Sequence, residues 1–355
     1  MRHDSPVDTT KLRLGLIEGD GIGHEIVPAT RAVVDAAVHA VGAGAVDWVP
    51  LDMGHTAIEQ HGTPLPDVTL DALAGLDAWI LGPHDSASYP GDFVAPGGAI
   101  RKHFGLYANI RPVKAFPGVR ATVPEFDAVI VRENSEGLYA DRNMFAGAGE
   151  FMPTPDVALA VGVVTRQACE RIAHTAFRLA RTRRKQVTIV HKANVLSLTT
   201  GLFLDVCRAV AAEYPDVRVD DEHVDAMAAH LVRRGGDFDV IVTENLFGDI
   251  LSDLAAELAG SLGIAASLNN SDTKAMAQAA HGAAPAIAGR NRANPTALFL
   301  SAAMLMHWLG VHRAADRINA AVAATFEAGN ATADLGGLAS TSEFTEHVLA
   351  RIRRR

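Results

Sequence analysis

Apolar positions along the chain fall into short runs of strand length, separated by stretches with helical spacing. Arg13 to Glu18 (RLGLIE) reads as a buried strand that breaks at the turn Gly19-Asp20-Gly21-Ile22-Gly23. Ile26, Val27, Val33, Val34, Ala37, Val38 and Val41 then recur on one face of a helix that ends at the glycine-rich VGAGA. Further strand-like runs begin at Val46 (VDWVPLD), Ala78 (AWILG), Asp127 (DAVIVRE), Val187 (VTIVH) and Asp239 (DVIVTE), most with a helical pattern after them. Such alternation predicts the α/β class with a largely parallel sheet. No period of solenoid length recurs, and no segment is low in complexity.

Two stretches interrupt the alternation. Ser86 to Gly98 (SASYPGDFVAPGG) reads as a mobile loop before the helix-like AIRKHFGL. Arg142 to Thr154 (RNMFAGAGEFMPT), continued by ALAVGVVT, reads as a protruding arm suited to dimer formation. After a turn-rich segment from Leu268 to Asn294, ALFLSAAMLMHWLG and RAADRINAAVAATFEAG predict two packing helices, and the C-terminal segment predicts a third.

Composition narrows the class of function. A chain of 355 residues exceeds the size at which one core stops growing, which implies two domains. The net charge of -9 and pI near 5.9 leave no electrostatic footprint for nucleic acid or an anionic membrane. Cys169 and Cys207 are too few for a disulfide framework, and MRHDSPVDTT lacks the apolar core of a secretory signal, so the cytoplasm is the expected compartment. Charges break every apolar run before it reaches the length of a membrane span.

Candidate chemistry centres on Thr243 to Gly260, TENLFGDILSDLAAELAG, where Asp249 and Asp253 lie four residues apart on one face of a helix. Like charges at that spacing repel, so the pair faces either plain solvent or a cation. Asp225, in the mostly apolar helical pattern DDEHVDAMAAHLV, is expected to be buried unless paired or ligated. With Asp249 and Asp253 it makes a set of hard oxygens, right for Mg²⁺ or Mn²⁺ and wrong for structural zinc, the alternative being a solvated helix face. Arg101, Arg111 and Arg132 fall near element ends; converging, they would suit a di- or tricarboxylic acid, and apart they would be surface ion pairs. Lys192 follows the strand VTIVH, where proximity to a cation would make it a base, and Tyr139 follows VRENSEG and could return a proton. His191 reads as a structural polar group. The turn GDGIG fails the dinucleotide fingerprint, since His24 stands where a third glycine is needed and no acidic residue ends a second strand at the usual interval.

Taken together, LIEGDGIGHEIVPA, LYANIRPVKAFPG, VRENSEGLY, HKANVL, TENLFGDILSDLAAELAGSLG, HGAAPAIAG, NPTA and DLGGLASTSEF resemble the β-decarboxylating dehydrogenases, the isocitrate/isopropylmalate dehydrogenase family, over nearly the whole chain. The resemblance implies two α/β domains around a shared mixed sheet, unlike an ordinary Rossmann fold: residues 1–106 and 260–355 as the first and 107–259 as an inserted second. It implies a homodimer with shared active sites. Arg101, Arg111 and Arg132 would hold substrate carboxylates. Asp249 and Asp253 would bind Mg²⁺ or Mn²⁺ with Asp225 of a second copy, whose Lys192 would work with Tyr139 in proton transfer. His281, Gly282, Ala284, Pro285, Ile287 and Asn294 match the family's adenosine-binding loop. Ala286 replaces the aspartate usual in NAD users, the lysine-tyrosine pair of NADP users is also absent, and Gln278 and Ala279 replace glutamate and proline; NAD is the expected cofactor, with Arg290 and Arg292 keeping NADP open.

Substrate choice in the family falls to residues just before Arg101, here Ala95, Pro96, Gly97 and Gly98. This implies a small C3 substituent or one read by the loop from Ser86 to Val94. The expected activity is oxidative decarboxylation of a 3-substituted malate, most like homoisocitrate/isocitrate dehydrogenase. The alternatives are 3-isopropylmalate or D-malate/tartrate dehydrogenase and, outside catalysis, a silent ligand-binding relative.

Overall fold

The computed structural model describes residues 12–91, 93–139 and 143–354. Within it the chain folds as two compact units. The first takes the chain up to Phe104, Phe116–Arg120 and everything from Gly260; the second takes Gly105–Ala115 and Ala121–Ala259.

The first unit begins with β1 (Leu12–Ile17), α1 (Gly23–Ala40), β2 (Val46–Pro50), α2 (His55–His61), α3 (Asp67–Ala74), β3 (Ala78–Leu81) and α4 (Pro96–His103). The loop between β3 and α4, expected as a mobile segment, is anchored at its start. Ser86–Ser88 forms a turn of 3-10 helix, and buried Asp20 ties the segment down by accepting from the backbone N–H of Asp85 (2.9 Å) and the hydroxyl of Tyr89 (2.5 Å). Pro96, Gly97 and Gly98 belong to α4 itself, because proline at the first helical turn costs no hydrogen bond.

The second unit runs through β4 (Ala108–Lys114), β5 (Asp127–Glu133), β6 (Glu150–Thr154), β7 (Val157–Ala160), α5 (Arg166–Arg181), β8 (Gln186–His191), α6 (Thr199–Ala211), β9 (Arg218–His223), α7 (Val224–Arg234), β10 (Val240–Thr243) and α8 (Asn245–Ala259). Five of its strands lie in the order β4-β5-β10-β8-β9, parallel except for the β4/β5 pair. Both faces of β5 are buried: Val129 and Val131 enter the core under α5 and α6, whereas Ala128 and Ile130 enter the core under α7 and α8. The expected arm is seen as the antiparallel hairpin β6–β7, every residue of which is exposed, Phe151, Met152, Val157 and Leu159 included. Arg142 lies outside the described residues.

The chain then returns to the first unit with β11 (Leu268–Asn270), β12 (Ala275–Gln278), α9 (Thr296–Trp308), α10 (His312–Glu327) and α11 (Thr341–Arg353). The strands of this unit run β2-β1-β3-β12-β11, with only β11/β12 antiparallel. The α/β class and mixed sheet are therefore as expected. Helix α9 is apolar nearly all round because α1, α10 and β12 surround it, and its residues dominate the unit's core. Among the described residues no helix is long and apolar enough to cross a membrane.

Candidate active site

Strand register explains how two arginines meet. On the antiparallel β4/β5 pair Asn109 lies opposite Arg132 and Arg111 opposite Ile130. Residues two apart on a strand share a face, so Arg111, Ile130 and Arg132 all point toward α8. There, Asn245, Asp249, Ser252 and Asp253 occupy one helix stripe at i, i+4, i+7 and i+8. Arg132, only 2% exposed, donates to Asn245 Oδ1 through Nε (2.9 Å) and Nη2 (2.7 Å) and to Asp249 through Nη1. Arg111 donates to Asn109 Oδ1 (2.6 Å) and Ser252 Oγ (2.6 Å), and its Nη1 lies 3.3 Å from Oδ1 of both Asp249 and Asp253. Gly248 makes the approach possible: a Cβ there would stand 2.6 Å from Arg132 Cγ.

The electrostatics are those of a compact ion cluster. Burial, with Arg132 alongside, pulls the Arg111 guanidinium down to about 10. Burial pushes the Asp253 carboxyl up against the pull of Arg111, and Asp249 adds repulsion. The Tyr139 hydroxyl donates to Asp249 while its ring lies 5.2 Å from the Arg132 guanidinium. Burial raises the pKa of this phenol, which stays protonated at neutral pH.

Lys192 and Asp225 form a separate pair. Asp225 is not the buried carboxylate expected: the DDEH segment closes β9, α7 starts only at Val224, and the Asp225 side chain is 69% exposed in the first helical turn, where Lys192 donates to it and holds its carboxyl below the usual range. Among the described residues no three His, Cys, Asp or Glu side chains are grouped to hold a metal ion. The hard oxygens of Asp249 and Asp253 fit Mg²⁺ or Mn²⁺ in kind but not in number. His191 is structural, with Nδ1 accepting from the N–H of Ala193 (3.0 Å) and Nε2 3.2 Å from Asp221.

Arg101 belongs to the first unit, where it donates to Gln278 Oε1 at 2.8 Å. The segment from His281 to Asn294 is seated there on the GDGIG turn: Ile22 N–H donates to Ala283 O (2.9 Å), and Gly21, at φ +56°, carries no Cβ to strike that oxygen. Glu25 accepts from Gly289 N–H at 2.6 Å. Ala284 adopts a left-handed conformation (φ +41°) ahead of a 3-10 turn over Pro285–Ile287. Asn294 is buried, donating to Asp334 (2.9 Å) and accepting from Thr296 N–H (3.0 Å). Gly282 and Ala286 are exposed, and burial holds His281 neutral. Asn245, Ser252 and Asp20 are polar residues of these sites that lie inside the quoted segments TENLFGDILSDLAAELAG and GDGIG but are given no role by the sequence reading. For the first two the signal was present in their spacing from Asp249.

A model of the isocitrate/isopropylmalate dehydrogenase family matches residues 13–348. An isocitrate/homoisocitrate dehydrogenase of Thermus thermophilus is 46% identical over 347 residues, 96% of this chain and 98% of the relative. A 3-isopropylmalate/3-methylmalate dehydrogenase of Methanocaldococcus jannaschii is 41% identical over 346 residues, 96% of this chain and 99% of the relative. The crystal structure of isocitrate dehydrogenase from Methylococcus capsulatus superimposes with a TM-score of 0.89 at 41% identity, covering 97% of this chain and all of that one.

Proposed function

Because the chain belongs to the isocitrate/isopropylmalate dehydrogenase family, and so is an oxidoreductase acting on CH–OH, we propose that it decarboxylates a 3-substituted malate oxidatively with NAD. The observation that carries this reading is the Arg111–Arg132–Asp249–Asp253–Tyr139 cluster, where two buried guanidiniums and two partly exposed carboxylates face one another. Arg111 and Arg132, with Arg101, hold the carboxylates of the substrate. Asp249 and Asp253, with Asp225 of a second copy, hold Mg²⁺ or Mn²⁺, and the exposed apolar side chains of β6–β7 are the surface on which that copy docks. An ion held by these carboxylates would supply Lewis-acid stabilisation of negative charge developing on the substrate's oxygens.

Protein groups do the rest. Lys192 of the second copy takes the proton of the 2-hydroxyl, and NAD, when bound, would serve as the hydride acceptor. Once CO₂ has left, Tyr139, kept protonated by its burial, donates a proton to C3 of the enolate. The segment from His281 to Asn294 binds the adenosine half of NAD, with one ribose contact fewer because residue 286 is alanine. Homoisocitrate or isocitrate is the preferred substrate, the relative from Thermus thermophilus being named for both.

Purified protein with Mn²⁺ is to be offered isocitrate, homoisocitrate, 3-isopropylmalate, D-malate and tartrate with NAD and with NADP. Production of NADH, fastest with isocitrate or homoisocitrate, is expected. Asp253→Asn is expected to weaken Mn²⁺ binding on the order of tenfold or more. No reduced cofactor from any of the five, together with unaltered Mn²⁺ binding in Asp253→Asn, overturns the proposal.

A further inference from the structure

The first turn of α4 is bare where it precedes Arg101, yet the volume beside it is filled. A Cβ built on Gly97 would stand 2.8 Å from Nε2 of His84 and 3.5 Å from Nε2 of Gln278. The imidazole therefore occupies the space that a side chain at position 97 would need. Gln278 turns its carbonyl oxygen to Arg101, so imidazole, carboxamide and guanidinium adjoin one another within the first unit.

His84 is held there at a cost. Its Nδ1 is buried with no hydrogen-bond partner, which is destabilising. Its backbone is fixed because the next residue, Asp85, donates its N–H to Asp20, and because Tyr89 and the N–H of His55 bond the same carboxylate. The imidazole is thus fixed with Nε2 turned to the bare turn of α4, in the neighbourhood of a guanidinium, and Nε2 can donate to a ligand there.

We propose that His84, rather than a side chain from α4, reads the C3 substituent of the substrate, and that it selects a substituent ending in a carboxylate. This rests on the assignment of Arg101 to a substrate carboxylate. Burial and the positive charge of Arg101 hold the imidazole neutral, while Asp20 and Asp85 oppose them. A carboxylate docked on Arg101 removes that repulsion, so His84 takes a proton from solvent and Nε2 donates a charge-assisted hydrogen bond. An alkyl substituent offers no acceptor and strips water from three polar groups. The structure thus favours a tricarboxylic over an alkylmalic substrate.

Calorimetry with Mn²⁺ and no nicotinamide cofactor tests this without turnover. Dissociation constants for isocitrate, 3-isopropylmalate and D-malate, which carries no C3 substituent, are to be measured for the wild type, His84→Ala and Gly97→Ala. The wild type is expected to prefer isocitrate. Both variants are expected to lower the isocitrate to D-malate affinity ratio about tenfold or more, Gly97→Ala by pushing the untouched imidazole aside. A ratio unchanged in both variants, or a wild type that prefers 3-isopropylmalate, overturns the role of His84. Failure of the wild type to bind D-malate at all overturns instead the substrate assignment on which it rests.

Discussion

Gly248→Ala perturbs the cluster through one methyl group, and its size can be worked from the geometry. The added Cβ would meet Arg132 Cγ at 2.6 Å and Cβ at 2.7 Å, whereas ordinary contacts begin at 3.4 Å, so the arginine stem must recede by 0.8 Å (3.4 − 2.6) to regain ordinary contact. Arg132 is only 2% exposed and has nowhere to go without stretching its 2.7 and 2.9 Å bonds to Asn245 and its bond to Asp249. Overpacking costs about 1–3 kcal/mol and a weakened charged hydrogen bond about 1.5–3, against a gain near 1 from replacing glycine in a helix; the net loss is about 1.5–5 kcal/mol. Gly201→Ala in α6 is the matched control, because a Cβ there meets nothing within 4 Å. It is expected to stabilise by about 0.4–1 kcal/mol. Urea midpoints and slopes for both variants check the pair, and kcat/KM of Gly248→Ala is expected to fall at least about tenfold as Arg132 leaves its place. Equal shifts in the two variants, or a Gly248→Ala protein as stable and active as the wild type, refute the reasoning.

Two other buried carboxyls sit in contrasting surroundings. Glu244 lines a largely apolar cavity of about 190 Å³ with Leu138, Val164 and Leu196, and burial, with Glu136 and Glu133 nearby, pushes its carboxyl up to about 8. A proton is then held by the folded chain and not by the unfolded one between about 4.5 and about 8, so stability is fullest below that window and falls as pH rises through it. Glu244→Gln is expected to flatten this fall, by at most about 1.4 kcal/mol per pH unit, in urea titrations across the window; parallel profiles would sink the idea. Asp20, by contrast, accepts from His55 N–H, Asp85 N–H and the Tyr89 hydroxyl. Asp20→Asn turns one acceptor into a donor among those three and is expected to cost about 2–3 kcal/mol by denaturant unfolding, a loss under about 0.5 showing that the network is dispensable.

What the sequence made legible was local. Alternating apolar runs located the strands with buried faces, and the spacing of Asp249 and Asp253 placed both on one face of α8. Beyond the hairpin β6–β7 and the pair β11–β12, which lie in stretches read as arm and turns, β4 and β9 escaped that reading for physical reasons. In β4, Pro112 and Arg111 break the apolar pattern, although the pairing with β5 buries the arginine; β9 is an outermost strand whose polar RVDDEH reads as helix entry, which is why Asp225 was misplaced. The contacts between Arg111, Arg132 and α8 depend on cross-strand register, and no spacing along one segment encodes register. The same holds for His84. Its sequence position carries no motif, and only the absence of room at Gly97 reveals that a residue of the preceding loop has taken over a volume belonging to the helix. A glycine in a selecting segment is therefore ambiguous in sequence, meaning either an emptied pocket or one filled from elsewhere, and here the geometry decides for the second.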